Sequence, residues 1–275
     1  MLFRVFIRSM IGMKKNSLVV LRIALALAAW WIIYKGYEVF VEPLFIDRIP
    51  EVLALFLRSM LVPYTLGLGV CYLILRGMEK GEILPQMNVT PGLIIKGFFA
   101  EIGMAIPCVF IVNIICRILG IVHEGITAEI LFGNNWWFYL FQLLIFAPVV
   151  EEFLFRKLVI ERLVFLGEVP TVIISSLFFA LPHIYSQGIP LFFGTFALAM
   201  VLGYVRVKTG KLWPCILLHA LFNLYGSYFT LSVSQTVPGT RLVFALGILV
   251  MPTIAVIVMV LHFQKRGKAQ IAVEN

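Results

Sequence analysis

Eight long apolar runs divide the 275-residue chain, near residues 17–37, 52–75, 93–118, 136–165, 170–185, 189–205, 212–230 and 242–263. A bilayer core about 30 Å thick is crossed by about 20 helical residues at 1.5 Å each, so most of these runs are long enough to span it. In lipid every backbone N–H and C=O needs an internal partner, which open segments satisfy only as helices. The expected fold class is all-α: a polytopic membrane protein with about eight transmembrane helices. The fifth and sixth runs are short, and read as helices that tilt little or fail to cross completely. The fourth is long enough to emerge from the bilayer. Composition agrees, with 61% hydrophobic residues, 13% charged residues and a mean hydropathy of +1.02.

At the N-terminus, "ALALAA" imitates a signal-peptide cleavage region behind the basic "KKNS". The apolar run continues through "WWIIY", too long for a signal core, so it reads as a retained membrane helix. Counting Lys and Arg on either side of eight helices gives seventeen against three: Arg48, Arg117 and Arg241 stand alone on the poorer side, with Lys35 and Arg58 inside spans. The richer side is expected to be cytoplasmic, and it carries both termini. The net charge of +8 is spread over short loops, which excludes a nucleic-acid face. Cys71, Cys108, Cys116 and Cys215 lie in or beside apolar runs without metal-type spacing and read as small buried side chains.

Against that apolar background the polar residues stand out. "VVEEFLFRKL", residues 149–158, holds three charges within six positions, each costing about 2.5–3.5 kcal/mol at the centre of a spanning helix. Glu152 and Arg156 are four apart with the acid first, the better orientation for a pair on one helix face. Glu151 is turned about 100° away and is left without that counter-charge. Such a carboxylate suits a general base. Pro148 removes a helical N–H one turn earlier and is expected to kink or loosen the helix there. His183 follows Phe179 by four in "FFALPHIY", with Pro182 beside it, and His219 and Asn223 are four apart in "LLHALFNLYG". Depths counted along the helices bring these groups together in the middle or inner half of the bilayer, around a cavity expected to open to the cytoplasm. A carboxylate and a histidine can hold and deprotonate a water, and a second histidine with an asparagine amide can stabilise the oxyanion formed when that water attacks a carbonyl.

"EEFLFR" (EExxxR), "FALPH" (FxxxH) and "HALFN" (HxxxN) resemble, in order and helical placement, the motifs of the CPBP or Abi family. That family includes type II CAAX prenyl endopeptidases, which are Rce1-like, and bacteriocin-processing proteins. The resemblance implies a glutamate-dependent intramembrane peptidase with Glu151 as water-activating base and His183 holding the water. It makes His219 and Asn223 the oxyanion site, with Glu152, Arg156 and Phe179 in support. It also divides the chain into helices 1–3 at 1–135, a catalytic core of helices 4–7 at 136–230, and a last helix with a basic tail at 231–275. The implied partners are a peptide or membrane-protein substrate and the lipid bilayer, in a bacterial cell membrane, and no cofactor is implied.

Two other function classes fit the same residues. Two histidines and a glutamate are acceptable zinc ligands, although HExxH is absent and Asn223 is an unusual ligand. Intramembrane acids and histidines also build proton relays, so a transporter, or a non-catalytic immunity or scaffolding protein, is the third. Glu101 is expected either to pair with Arg58 or to line the cavity. His123 and His262 read as interfacial residues without partners.

Overall fold

A computed structural model describes residues 2–121 and 127–274, with residues 2–15, 263 and 265–274 described by their backbone alone. His123 therefore lies outside the described residues. Among the described residues there is no strand, and seven helices are long and apolar enough to cross a membrane. They are α1 (Asn16–Leu44), α2 (Glu51–Leu75), α3 (Pro91–Ile118), α4 (Trp136–Leu166), α5 (Glu168–Thr209), α6 (Trp213–Val233) and α7 (Val237–His262). Their outer faces carry large exposed apolar side chains such as Leu25, Ile111, Ile173 and Leu249. A surface of this kind is stable only in contact with lipid, and the protein is a multi-pass membrane protein.

The α5 helix absorbs both short runs. As a straight rod its 42 residues would be roughly 60 Å long. Yet Lys208, near its end, pairs with Glu168 at its start. Gly203 also faces Val172, Ser175 and Ser176. The chain folds back at Gly188, whose φ of 83° and ψ of 174° suit glycine and almost nothing else. The fifth and sixth runs are thus two antiparallel arms of one hairpin, each about a bilayer long. Counted separately, they match the fifth and sixth apolar runs of the sequence.

Packing is uneven along the bundle. From Leu154 to Leu163, α4 buries Leu154, Phe155, Arg156, Leu158, Val159, Ile160, Arg162 and Leu163. The second arm of α5 buries Leu198, Ala199, Leu202, Val205, Arg206, Val207 and Lys208 at the same end. Polar groups lock this end. Arg206 Nε donates to Arg156 O at 2.9 Å and Nη2 meets Glu161 at 3.1 Å. Arg162 Nη1 donates to Leu158 O at 2.7 Å. The 76–90 connection is stapled across it: Gly81 N donates to Glu161 O at 2.7 Å, and Gln86 N to Lys208 O at 2.8 Å. Toward Gly188 the helices bury far less, and the interior opens.

Two pairings differ from those expected. Arg58 pairs with Glu42, Nη2 to Oε1 at 2.6 Å, rather than with Glu101. Glu42 lies in the last turn of α1, so the partner comes from the neighbouring chain segment at the same depth. His262 is not alone at a helix end, because Tyr204 Oη lies 3.1 Å from its Nε2.

Candidate active site

The two glutamates occupy a stretch of α4 where the helical register changes. Residues Gln142–Phe146 are wound as a π-helix, in which each carbonyl is paired with the N–H five residues on, and Ala147 N donates to Gln142 O in this pattern. The next carbonyl, Leu143 O, falls to Pro148, which has no N–H to give. Asn223 takes that place, its Nδ2 donating to Leu143 O at 2.8 Å. The loosening expected at Pro148 thus becomes a specific bond that ties α6 to α4 beside the glutamates.

From this scaffold the charges separate as their spacing implied. Glu152 and Arg156 are both fully buried and meet at 3.1 Å, Oε2 to Nε. Glu151, with a fifth of its side chain exposed, faces open space. His219 lies between the two acids: Nδ1 is 3.0 Å from Glu152 Oε1, and Nε2 is 4.0 Å from Glu151 Oε2. Because an ionised carboxylate oxygen only accepts, Nδ1 carries the proton of the short bond and Nε2 is aimed at Glu151. In His183, Nδ1 lies 3.1 Å from Phe179 O, which also only accepts. That assigns the proton to Nδ1 and leaves the Nε2 lone pair free.

Phe179 is buried at the hub. Its ring centroid lies 5.4 Å from that of His183, 5.7 Å from that of His219 and 5.2 Å from that of Phe155. The Arg156 guanidinium sits 4.8 Å from the same centroid. One aromatic side chain thus fixes both imidazoles and the buried cation. Arg156 and Glu152 are held away from the open space that Glu151 and His183 face.

Two cavities meet at these residues. The larger, about 420 Å³, is lined by Glu151, His183, His219 and Asn223 and runs on past Ser227 and Thr230 of α6 and Val243 of α7. A smaller one, about 230 Å³, lies on the α1–α2 side against Tyr34, Tyr64 and Gln142. Glu151, Phe179, His183 and Gln187 line both. Both run toward the Gly188 turn, away from the end that carries Glu168, Lys208 and the 76–90 connection. The two cavities and the basic 76–90 and 206–211 connections thus lie at opposite ends of the bundle.

Sequence reasoning missed two residues. Tyr64 of α2 donates its hydroxyl toward Glu151 Oε1 at 3.4 Å, across 87 positions of sequence. The one signal for it is a phenol at the midpoint of an apolar run. Gln187 lies between the cavities, and only the hairpin turn beside it explains a polar side chain there. Glu101, left undecided, is fully buried on α3 with no hydrogen-bond partner for either carboxyl oxygen, within electrostatic range of Glu152. Among the described residues no three His, Cys, Asp or Glu side chains converge as a metal-binding group.

Residues 133–225 match the profile of a protein family described as Type II CAAX prenyl endopeptidase Rce1-like. Over these residues the chain is similar to that family. The matched third of the chain contains Glu151, Glu152, Arg156, Phe179, His183, His219 and Asn223, whereas Tyr64 and Glu101 fall outside it. No curated protein and no solved structure matches the chain. A match to this family within a set of membrane-spanning helices supports a protease role of the CAAX type in the membrane.

Proposed function

We propose that the protein is an intramembrane endopeptidase in which Glu151 activates a water molecule for attack on a peptide carbonyl. The observation that carries this reading is the division of the acids: Glu152 is fully buried against Arg156 and His219, and Glu151 stands partly exposed at the junction of two cavities, with His219 Nε2 4.0 Å away. Water held between the Glu151 carboxylate and the free Nε2 of His183 gives a proton to Glu151, and its oxygen bonds to the carbonyl carbon. The oxyanion that forms takes hydrogen bonds from His219 Nε2 and from the second amide hydrogen of Asn223. For this His219 acts as the doubly protonated ring, with its Nδ1–H held by Glu152. As the C–N bond breaks, the proton on Glu151 passes to the departing amine, leaving one new carboxyl and one new amine.

The two cavities flank Glu151, so a substrate chain has room on both sides of the bond to be cut. This supports an internal cleavage in an extended segment of a membrane-bound peptide or protein. The substrates of bacteriocin-type and prenylated-protein processing both satisfy this condition. In this reading no cofactor takes part, and turnover by a metal-free preparation is the expected outcome; loss of turnover with chelator and its return with zinc would favour the metallopeptidase. The experiment that tests the reading is a comparison of membrane peptides from cells producing the wild-type protein and Glu151→Gln at equal folded amounts. Peptides with new termini that vanish in the variant support it. An unchanged set of termini contradicts it.

A further inference from the structure

We propose that a groove between α3, the second arm of α5 and α7, at the basic end of the bundle, is a binding site for one anionic phospholipid. An acyl chain lies along its apolar walls, and the phosphate sits at its rim against Lys96. The groove shares no lining residue with the two cavities at Glu151, so the site stands whether or not Glu151 is a catalytic base.

The sequence builds this groove with small residues. Lys96, Gly97 and Ala100 share one face of α3 by helical spacing, and Gly97 and Ala100 leave a width that larger side chains would fill. The resulting cavity, about 260 Å³, is closed on the other sides by Met200 of α5 and by Val258 and Met259 of α7. Protein interiors hold few voids of such a size, whereas a groove on the bilayer side takes a hydrocarbon chain, to which methionine walls adapt readily. Its flanks do face outward, with Ile95 of α3 and Val260 of α7 both exposed. Its depth suits a lipid of one leaflet. Lys96 lies about 8 Å in from the start of α3 and Tyr204 about 8 Å in from the end of α5, and Gln86 N bonded to Lys208 O at 2.8 Å holds those two helix ends together. His262 is at the same level, its Nε2 3.1 Å from Tyr204 Oη.

Charge selects the occupant. Lys96 is half-buried, the groove has no Asp or Glu in its lining, and Lys96 forms no ion pair among the described residues. The other cations at this end are committed, Arg206 to Glu161 and Lys208 to Glu168. From a depth of about 8 Å a lysine stem runs along apolar surface and brings its ammonium to the headgroup level. Tyr204 and His262 add a polar pair beside it, and the sequence continues with Lys265 and Arg266 three and four positions after His262. A phosphate with net negative charge satisfies Lys96, as basic pockets between membrane helices do for anionic headgroups. An apolar peptide segment or a second copy of the groove would leave that ammonium unpaired.

The test is native mass spectrometry of delipidated, full-length protein in a neutral detergent, given equal amounts of dioleoyl phosphatidylglycerol and dioleoyl phosphatidylcholine. The first lipid retained by the wild-type protein is predicted to be phosphatidylglycerol by about fivefold, the preference one lysine near the headgroups confers. Lys96→Gln is predicted to retain a first lipid but to lose the preference, whereas Lys211→Gln, at an exposed lysine of the same end, keeps it. Ala100→Phe fills the groove and is predicted to abolish retention of the first lipid at an unchanged melting temperature. Should Ala100→Phe melt lower, the comparison of Lys96→Gln with Lys211→Gln decides alone, because both side chains reach the protein surface. Equal retention of the two lipids by the wild-type protein overturns the proposal, as does an equal loss of preference in both lysine variants, which would assign it to diffuse surface charge. A folded Ala100→Phe that still retains the lipid overturns it too. So does a dimer without lipid that Ala100→Phe dissolves, which would give the groove to a second copy of the chain.

Discussion

Removing the charge of Glu152 is the perturbation for which the structure gives the fullest expectation. Its carboxylate is fully buried and 3.1 Å from Arg156 Nε. At that distance and an effective dielectric of about 20, Coulomb's law gives about 5 kcal/mol of attraction. Breaking a buried pair by removing one partner costs about 3–5 kcal/mol, because the remaining charge stays buried. Glu152→Gln keeps the shape and an acceptor for His219 but strands the Arg156 guanidinium over the Phe179 ring. Against a total stability of about 5–15 kcal/mol, the loss corresponds to a fall in melting temperature on the order of 10 °C for a chain of this size. Adding Arg156→Met removes the stranded charge and leaves a side chain that packs well on an aromatic face. The double variant is expected to regain most of the lost stability, and a double-mutant cycle on detergent-solubilised protein measures the coupling. Turnover is expected to stay at least about tenfold down in the double variant, since an amide no longer balances a protonated His219. Additive losses of stability would refute the ion pair, and a fully active double variant would refute the role given to Glu152 through His219.

Three further perturbations address separate parts of the site. Tyr64→Phe removes one long hydrogen bond to Glu151, worth about 0.5–1.5 kcal/mol, so a loss of up to about tenfold in kcat at unchanged melting temperature is expected; a large drop in stability would show that the phenol is structural. Asn223→Ala leaves Leu143 O unpaired, costing about 1–3 kcal/mol of stability in a melting experiment, and removes an oxyanion donor, costing about 10²–10³ in kcat. A stability loss with normal kcat would confine Asn223 to joining α6 with α4. Gly188→Ala forces a Cβ into a backbone conformation reserved for glycine and is expected to cost about 1–3 kcal/mol. An unchanged melting curve would mean that the hairpin does not turn there.

Much of this arrangement is legible in the sequence because the membrane restricts what a polar residue can do. The apolar runs give the spans, and four-residue spacing correctly joins Glu152 to Arg156 on one helix face. What escapes is relative placement between helices. Arg58 was open to Glu101 on charge alone, but depth along the bundle assigns it to Glu42. Asn223 reads as a free amide until the π-wound register before Pro148 leaves Leu143 O without a partner. Tyr64 and Glu151 are brought together by packing of α2 against α4, and no local spacing encodes that. The direction of the cavity is the clearest case: counting residues from helix ends gives the depth of His219 but not which end of the bundle the cavities at Glu151 run toward. That depends on the stapling of residues 76–90 across α4 and α5, a set of contacts between backbone groups with no signature in side-chain pattern.

The central claim is that the Glu151 carboxylate removes a proton from the attacking water. Its most direct test is the single-turnover rate of purified, folded Glu151→Gln on a peptide whose termini depend on the wild-type protein, measured beside wild type in metal-free buffer. An amide cannot accept that proton, and the rate is predicted to fall by about 10²–10⁴ with melting temperature and peptide binding retained. A folded Glu151→Gln protein that cuts the same bond within a few-fold of the wild-type rate would contradict the account.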